Sequence, residues 1–260
     1  MKALTFKLRL NSLYSIRIPF TWQSALAYPV PPPSAVIGLC ANALQRMENE
    51  NYPTYYLEKL ENQILWAGSR LLSPCIMKSY LSSFITKFEA EIGGKSTNAL
   101  SRQFAFSKNL ECLVVFKESC DDAFLNTLKI ALKSTPLTCG DSESPASLEN
   151  EPILIDAYEV FDEEVTTSFP VPFVSPRNNE TFQSDYEIVE GKGMLFLMHE
   201  RCMKRDDNFP LRTFIVPIFE EKKILYPGKL TLKVKNMKIL RLNEPEANCI
   251  IIENQSTSEL

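Results

Sequence analysis

A single histidine, His199, and seven cysteines without one Cys-x-x-Cys pair leave this chain poorly equipped to hold a transition metal. A zinc centre takes about four Cys or His ligands at close spacing, so no metal site is expected. No apolar run approaches the roughly 18 residues that cross a bilayer, and no membrane contact is expected either. Dinucleotide, Walker and nucleophile-elbow signatures (Gly-x-Gly-x-x-Gly, Gly-x-x-x-x-Gly-Lys-Ser/Thr, Gly-x-Ser-x-Gly) are absent, and with them any sign of a cofactor. Asp121-Asp122 and Asp206-Asp207 are sequence neighbours whose side chains diverge, which makes neither a persuasive cation site. Lys2, Lys7 and Arg9 punctuate the stretch where a secretory leader would carry an apolar block. Together with unpaired cysteines suited to reduced thiols, this makes the cytoplasm the expected compartment.

The formal net charge of −4 argues against a nucleic-acid binder, but its distribution argues otherwise. No acid precedes Glu48, whereas Lys2, Lys7, Arg9, Arg17 and Arg46 are basic. Arg70–Lys108 holds six basic and two acidic residues, and Lys222–Arg241 holds seven basic residues and no acid. Compensation sits in residues 111–165, with thirteen acids against three bases. Such segregation predicts a surface polarised in charge, although any single run also reads as a solvated strand edge.

The periodicity predicts an α+β protein. Leu4, Phe6, Leu8 and Leu10 alternate with Thr5, Lys7 and Arg9, the pattern of a half-buried strand. Helical spacing follows at 34–48 and 54–65. Strands are predicted over 64–79 and 110–117, the latter apolar enough to be buried on both faces. Between them, residues 80–106 with Gly93-Gly94 read as a long hairpin or a flexible loop. Ser119 is expected to cap a helix over 121–133, and a strand near 152–160 completes the order. That order is βαββαβ, the arrangement of ferredoxin-like or RNA-recognition-type domains. Residues 1–164 therefore form one expected domain. Residues 165–260 form a smaller, mostly-β region with strands at 193–201, 213–219, 229–235 and 248–252, and a frayed end over 253–260.

The most specific segment is Tyr28-Pro-Val-Pro-Pro-Pro-Ser-Ala-Val-Ile-Gly38. Its rings fix an extended path that runs into a helix start, where Ser34 is placed to cap. Gly38 inside the helix implies close packing or a backbone approach. The segment reads structurally as an ordered turn, and functionally as a rigid ledge for a ligand or partner.

This proline segment, Arg102-Gln-Phe104 before the third strand, and Cys139-Gly-Asp-Ser-Glu-Ser144 after the second helix resemble, in that order, the Cas5-type family of CRISPR-associated proteins. The likeness covers the first 160 residues, and the chain is most similar to the archaeal, type I-A branch. The resemblance implies a RAMP-superfamily, RNA-recognition-like fold and a non-catalytic subunit of a type I Cascade surveillance complex in antiviral defence. It implies that the chain grips the 5′ handle of the guide RNA (crRNA) and caps a filament of backbone subunits, with the large subunit as a further partner. A projecting hairpin, or thumb, would correspond to residues 78–108.

RNA handles are gripped through phosphates and splayed bases, so cations beside aromatics are the tools to seek. The candidate RNA-binding residues are Tyr14 and Arg17 after the first strand, and Lys78, Lys95, Arg102 and Lys108 around the thumb. Ser34, with Gly38, could offer helix N-terminal amides to a phosphate. Arg102 reads equally as an arginine packed under the hairpin. One branch of the resembling family cleaves repeat RNA without metal, which leaves a metal-independent endoribonuclease as the alternative function. His199, at the end of an apolar strand, does not map onto that active site and reads as structural.

Overall fold

The computed structural model describes residues 1–21, 24–89, 94–140, 144–173, 185–202, 211–243 and 249–253, with the backbone alone for 82–89, 94–100 and 253. In chain order the first part comprises β1 (Lys2–Leu10), β2 (Ser24–Ala25), α1 (Pro33–Glu48), α2 (Pro53–Gln63), β3 (Ile64–Leu71) and β4 (Cys75–Glu89). Next come β5 (Gly94–Ser107), β6 (Asn109–Phe116), α3 (Asp122–Ser134), β7 (Leu137–Thr138), β8 (Pro145–Leu148) and β9 (Ile153–Val160). The remainder is all strand: β10 (Glu164–Thr167), β11 (Val171–Pro172), β12 (Tyr186–Gly191), β13 (Met194–His199) and β14 (Leu211–Val216). It closes with β15 (Ile218–Glu221), β16 (Ile224–Pro227), β17 (Leu230–Val234), β18 (Met237–Leu242) and β19 (Cys249–Glu253). The protein is thus α+β and rich in strands, distributed over four sheets.

The main sheet runs β19-β18-β9-β1-β6-β3, with every neighbouring pair antiparallel. The side of β1 next to β9 is shared: β9 pairs with residues 2–5 and β8 with residues 8–10. Leu4, Phe6 and Leu8 are buried in the largest core cluster with Val36, Cys40 and Leu44 of α1 and Leu128 and Leu132 of α3. The opposite face was expected to be wet, yet Ala3 and Thr5 are buried as well. The cause is tertiary. Phe169, Trp66, Leu113, Val115, Leu240 and Ile250 build a further core there, with Trp66 and Phe169 edge-to-face at 5.7 Å. Under it Glu111 accepts from Thr5 Oγ1 at 3.1 Å and pairs with the Arg70 guanidinium, which stands 5.2 Å over Phe169. Residues 110–116 are buried throughout, as their apolar run predicts.

Helix ends show where local reading stopped short. Pro32 in extended conformation is the N-cap of α1 and Pro33 its first residue, so Ser34 lies inside the first turn and makes no cap bond. A proline at the first helical position has φ already set and lacks one of the N–H groups that a helix start leaves open, so the start forms without a side-chain cap. Asp121, not Ser119, caps α3, accepting from the Ala123 amide at 3.2 Å. Ser119 falls in a preceding turn closed by Cys120 N to Lys117 O at 3.0 Å. A Cβ built at Gly38 meets nothing within 4 Å, so the close packing expected there is not what places a glycine in α1.

The sheets continue across residue 164, since β18 adds to β9 and β16 adds to β4. A further tie runs from the end of β13: Arg201 donates to the Glu61 and Ile64 carbonyls at 3.1 and 3.2 Å, satisfying acceptors that the end of α2 leaves open. Strands predicted near 193–201, 229–235 and 248–252 are present as β13, β17 and β19; the one at 213–219 is two, β14 and β15, separated at Pro217. β10, β11, β12, β16 and β18 carried no sequence expectation. Of the predicted frayed end, Glu253 instead closes β19, and residues 254–260 lie outside the described residues. None of the seven cysteines is joined in a disulfide. Among the described residues no helix is long and apolar enough to cross a membrane, and no metal-holding cluster of His, Cys, Asp or Glu occurs.

Candidate nucleic-acid interface

The expected hairpin exists and is longer than predicted, with β4 and β5 paired from Cys75↔Ser107 out to Glu89↔Gly94. It is the centre of a sheet ordered β15-β16-β4-β5-β2. Directly opposed residues share a face, and side chains alternate with period two. Cys75, Ala105 and Ser107 therefore turn inward and are buried, and burial raises the Cys75 thiol to about 11. The other face carries Ile76, Lys78 and Tyr80 on β4, against Phe106, Phe104 and Arg102 on β5. Tyr80 is 50% exposed and Phe106 45%, unusual for aromatics in mid-strand. The Tyr80 and Phe104 rings meet edge-on at 5.7 Å, and the Arg102 guanidinium lies 4.7 Å from the Phe104 centroid. The result is an outward strip on which π-faces alternate with two cations, a surface that can stack unpaired bases and neutralise the phosphates between them.

A second basic stretch joins this sheet. The ladder between β16 and β4 ends at Ile224↔Ile76, and the Lys222-Lys223 turn between β15 and β16 follows at once. Residues far apart in sequence, from two of the three basic runs, are so brought to one sheet.

The other candidates fare differently. Lys78 and Arg102 sit on the strip, and Lys108 is exposed at its base, just past β5. Lys95 lies toward the far end of β5, its backbone opposite Phe88; its side chain and the tip residues 90–93 lie outside the described part. Tyr14 is a correction. It is fully buried, its amide and carbonyl pair with Ala105 at 3.0 and 2.8 Å, and its hydroxyl donates to Pro29 O. Burial pushes its ionisation well above the ordinary tyrosine value, and the ring cannot stack on a base. Arg17 bridges Ala27 beside β2 and spends its guanidinium on the loop after it, donating to Thr21 O at 2.7 Å. Ser34 lies in the first turn of α1 and makes no side-chain cap bond, and its carbonyl accepts from Cys202 Sγ at 3.0 Å. The proline ledge is buried from Tyr28 to Pro33, with Ser69 Oγ donating to Pro31 O at 2.7 Å and the Tyr14 hydroxyl to Pro29 O, so the fold covers it and it backs the hairpin base. Residues 141–143 of the Cys139–Ser144 motif lie outside the described part, while Ser144 is buried and donates to Leu13 O at 3.1 Å.

Sequence reading missed Tyr80, Phe104, Phe106 and Ile76. Their signal was present at every second position, where Ile76, Lys78 and Tyr80, and again Arg102, Phe104 and Phe106, set one cation among apolar side chains. His199 ends β13, away from the strip's strands, and burial pulls its pKa below 6.5.

Comparison with known proteins accords with this architecture. The chain is similar to a crystal structure of a CRISPR protein from Archaeoglobus fulgidus, with a TM-score of 0.57, 13% identity, and coverage of 97% of this chain and 99% of that one. Weaker likenesses are to a chain of the Type III-B Cmr-beta bound to cognate target RNA (TM-score 0.48, 13% identity, 86% of each chain) and to one of a CRISPR RNA-guided surveillance complex (0.39, 14%, 87% and 91%). No curated protein matches the sequence. A family model described as CRISPR-associated protein (Cas_Cas5) matches residues 5–170, nearly two thirds of the chain. The protein belongs to the CRISPR-associated Cas5 family.

Proposed function

We propose that this chain is a non-catalytic, guide-RNA-binding subunit of a type I, I-A-like Cascade complex, working in the cytoplasm. In this reading it grips the 5′ handle of the guide, caps the filament of backbone subunits and touches the large subunit. Its first half is then a ferredoxin-like, RNA-recognition-type unit. The strand order β9-β1-β6-β3, with α1 and α3 on one face, supports that assignment. Family membership supports the CRISPR setting. The single observation that carries RNA binding is the outward strip of Lys78, Tyr80, Arg102 and Phe104 on the hairpin base. Exposed aromatics in register with cations are costly as mere surface and well matched to an unpaired strand.

Filter binding of repeat-derived RNA, with and without backbone subunits, tests the proposal. Weak binding by the isolated subunit is expected, since a net charge of −4 gives little non-specific attraction, with tightening on assembly. Indifference to the handle in both settings rejects the reading. Incubation with the same RNA in EDTA separates binding from cleavage: a discrete product would make the chain a metal-independent endoribonuclease instead.

A further inference from the structure

Four non-glycine residues of the described chain have positive φ, and three have a reason inside the fold. Asn49 closes α1 as its C-cap, and Lys222 and Lys223 make the two-residue turn between β15 and β16. Phe20 is the fourth, at φ 61 in the turn after Pro19. A position following proline with φ above zero is normally filled by glycine or asparagine, because a Cβ there clashes with the backbone. A phenylalanine is among the worst residues for that backbone, and with 84% of its surface exposed it contributes almost nothing to a core. The turn gains nothing from the ring, so the ring answers to something outside the fold.

The loop is braced for presentation. Arg17 donates from Nη2 to Thr21 O at 2.7 Å and from Nε to Thr21 Oγ1 at 3.4 Å, and Thr21 Oγ1 donates to Ile18 O at 3.1 Å. Ile18 N bonds Leu26 O at 2.8 Å, and one residue further Ala25 pairs with Arg102 across β2 and β5. The brace therefore springs from the edge of the same sheet whose outer face carries Arg102, Phe104 and Tyr80. Neighbouring strands lie about 4.8 Å apart, so β2 and β4 are separated by roughly 10 Å, a span of one to two nucleotides of an extended strand.

We propose that Phe20 is a base-stacking residue, held out by Arg17 to receive an unstacked nucleobase of the single-stranded RNA that crosses the hairpin strip. This rests on the RNA-binding reading above and adds to it a contact outside the strip. Arg17 acts as a positioning residue. It was expected to contact RNA, and its guanidinium is instead committed to the loop.

The test uses the full chain, alone and with its partner subunits, and a synthetic repeat RNA. Phe20→Gly suits the left-handed turn, so its melting temperature should equal or exceed the parent's while RNA affinity falls about 5- to 50-fold. Phe20→Trp should retain affinity, and Arg17→Ala should weaken binding in the same direction by less. A photoreactive benzophenone amino acid replacing Phe20 should join to RNA in the assembled complex. Parental affinity in Phe20→Gly overturns the inference, as does an adduct to protein alone; if Tyr80→Ala still binds weakly, the RNA-binding reading stands without it. A parent chain that binds no RNA in either setting overturns both.

Discussion

The Tyr14 hydroxyl donates to the backbone carbonyl of Pro29, and through it the proline segment is locked to the base of the long hairpin, where Tyr14 already pairs with Ala105. The contact is buried, so removing the donor leaves the carbonyl without this bond inside the protein. Tyr14→Phe should lower stability by about 1–2 kcal/mol in chemical denaturation while RNA affinity stays within twofold. Weaker RNA binding at unchanged stability would return Tyr14 to the list of contacts and remove it from the scaffold.

The strip makes a divided prediction. Tyr80→Ala and Phe104→Ala each remove a stacking face and should weaken single-stranded RNA binding about 5- to 100-fold with little effect of salt on the difference. Lys78→Ala should reduce the slope of log affinity against log salt by about 0.7, as expected for one phosphate contact on a single strand. Titration at several salt concentrations reads both. Unchanged affinity in the aromatic variants would remove the strip as the binding face.

Glu111 is 3% exposed and depends on Arg70 and Thr5 to satisfy its charge. Arg70→Met should cost about 3–5 kcal/mol, because the carboxylate remains buried without its cation. Adding Glu111→Leu should recover most of that loss, as apolar replacements of whole buried pairs do. A double variant no more stable than Arg70→Met would show that Arg70 acts through its place over the Phe169 ring instead.

His199 supplies a pH dependence. Burial lowers its pKa in the folded chain below 6.5, so the unfolded chain takes up the proton first as pH falls. Its contribution is complete above about pH 6.5 and is lost progressively below, which makes stability rise with pH across that window. Denaturation midpoints at pH 5 and 7.5 should therefore converge in His199→Gln relative to the parent. An identical pH profile in the two proteins would contradict the assignment.

Gly38 occupies a helix interior with open space where its Cβ would be. Gly38→Ala should then stabilise the chain by about 0.5–1 kcal/mol through helix propensity alone. If the same variant loses RNA affinity, the space at α1 is one a ligand or subunit fills.

Much of the first half was legible because its elements are set by local periodicity. Alternation over 3–10 and helical spacing over 34–48 point to β1 and α1, and the apolar run at 112–116, short and rich in valine and phenylalanine, points to β6. Terminal caps were harder, since Ser34 and Ser119 are good caps in isolation and lost to Pro32 and Asp121, which the chain path puts at the ends. Residue type alone also misjudged the site. Tyr14 and Arg17 are chemically suited to RNA, but one is packed behind the hairpin and the other is tied into a loop.

By itself the sequence determined the order of the main strands and helices of the first half and the clustering of basic charge, and it left residues 80–106 as a hairpin or a loop. These depend on neighbours within a few positions, and pattern records them. Tertiary structure decided which face of the hairpin looks outward, that the Lys222-Lys223 turn joins the hairpin's sheet, and that the proline segment is covered. Each of those depends on pairings between residues dozens to more than a hundred positions apart, for which a linear pattern holds no term.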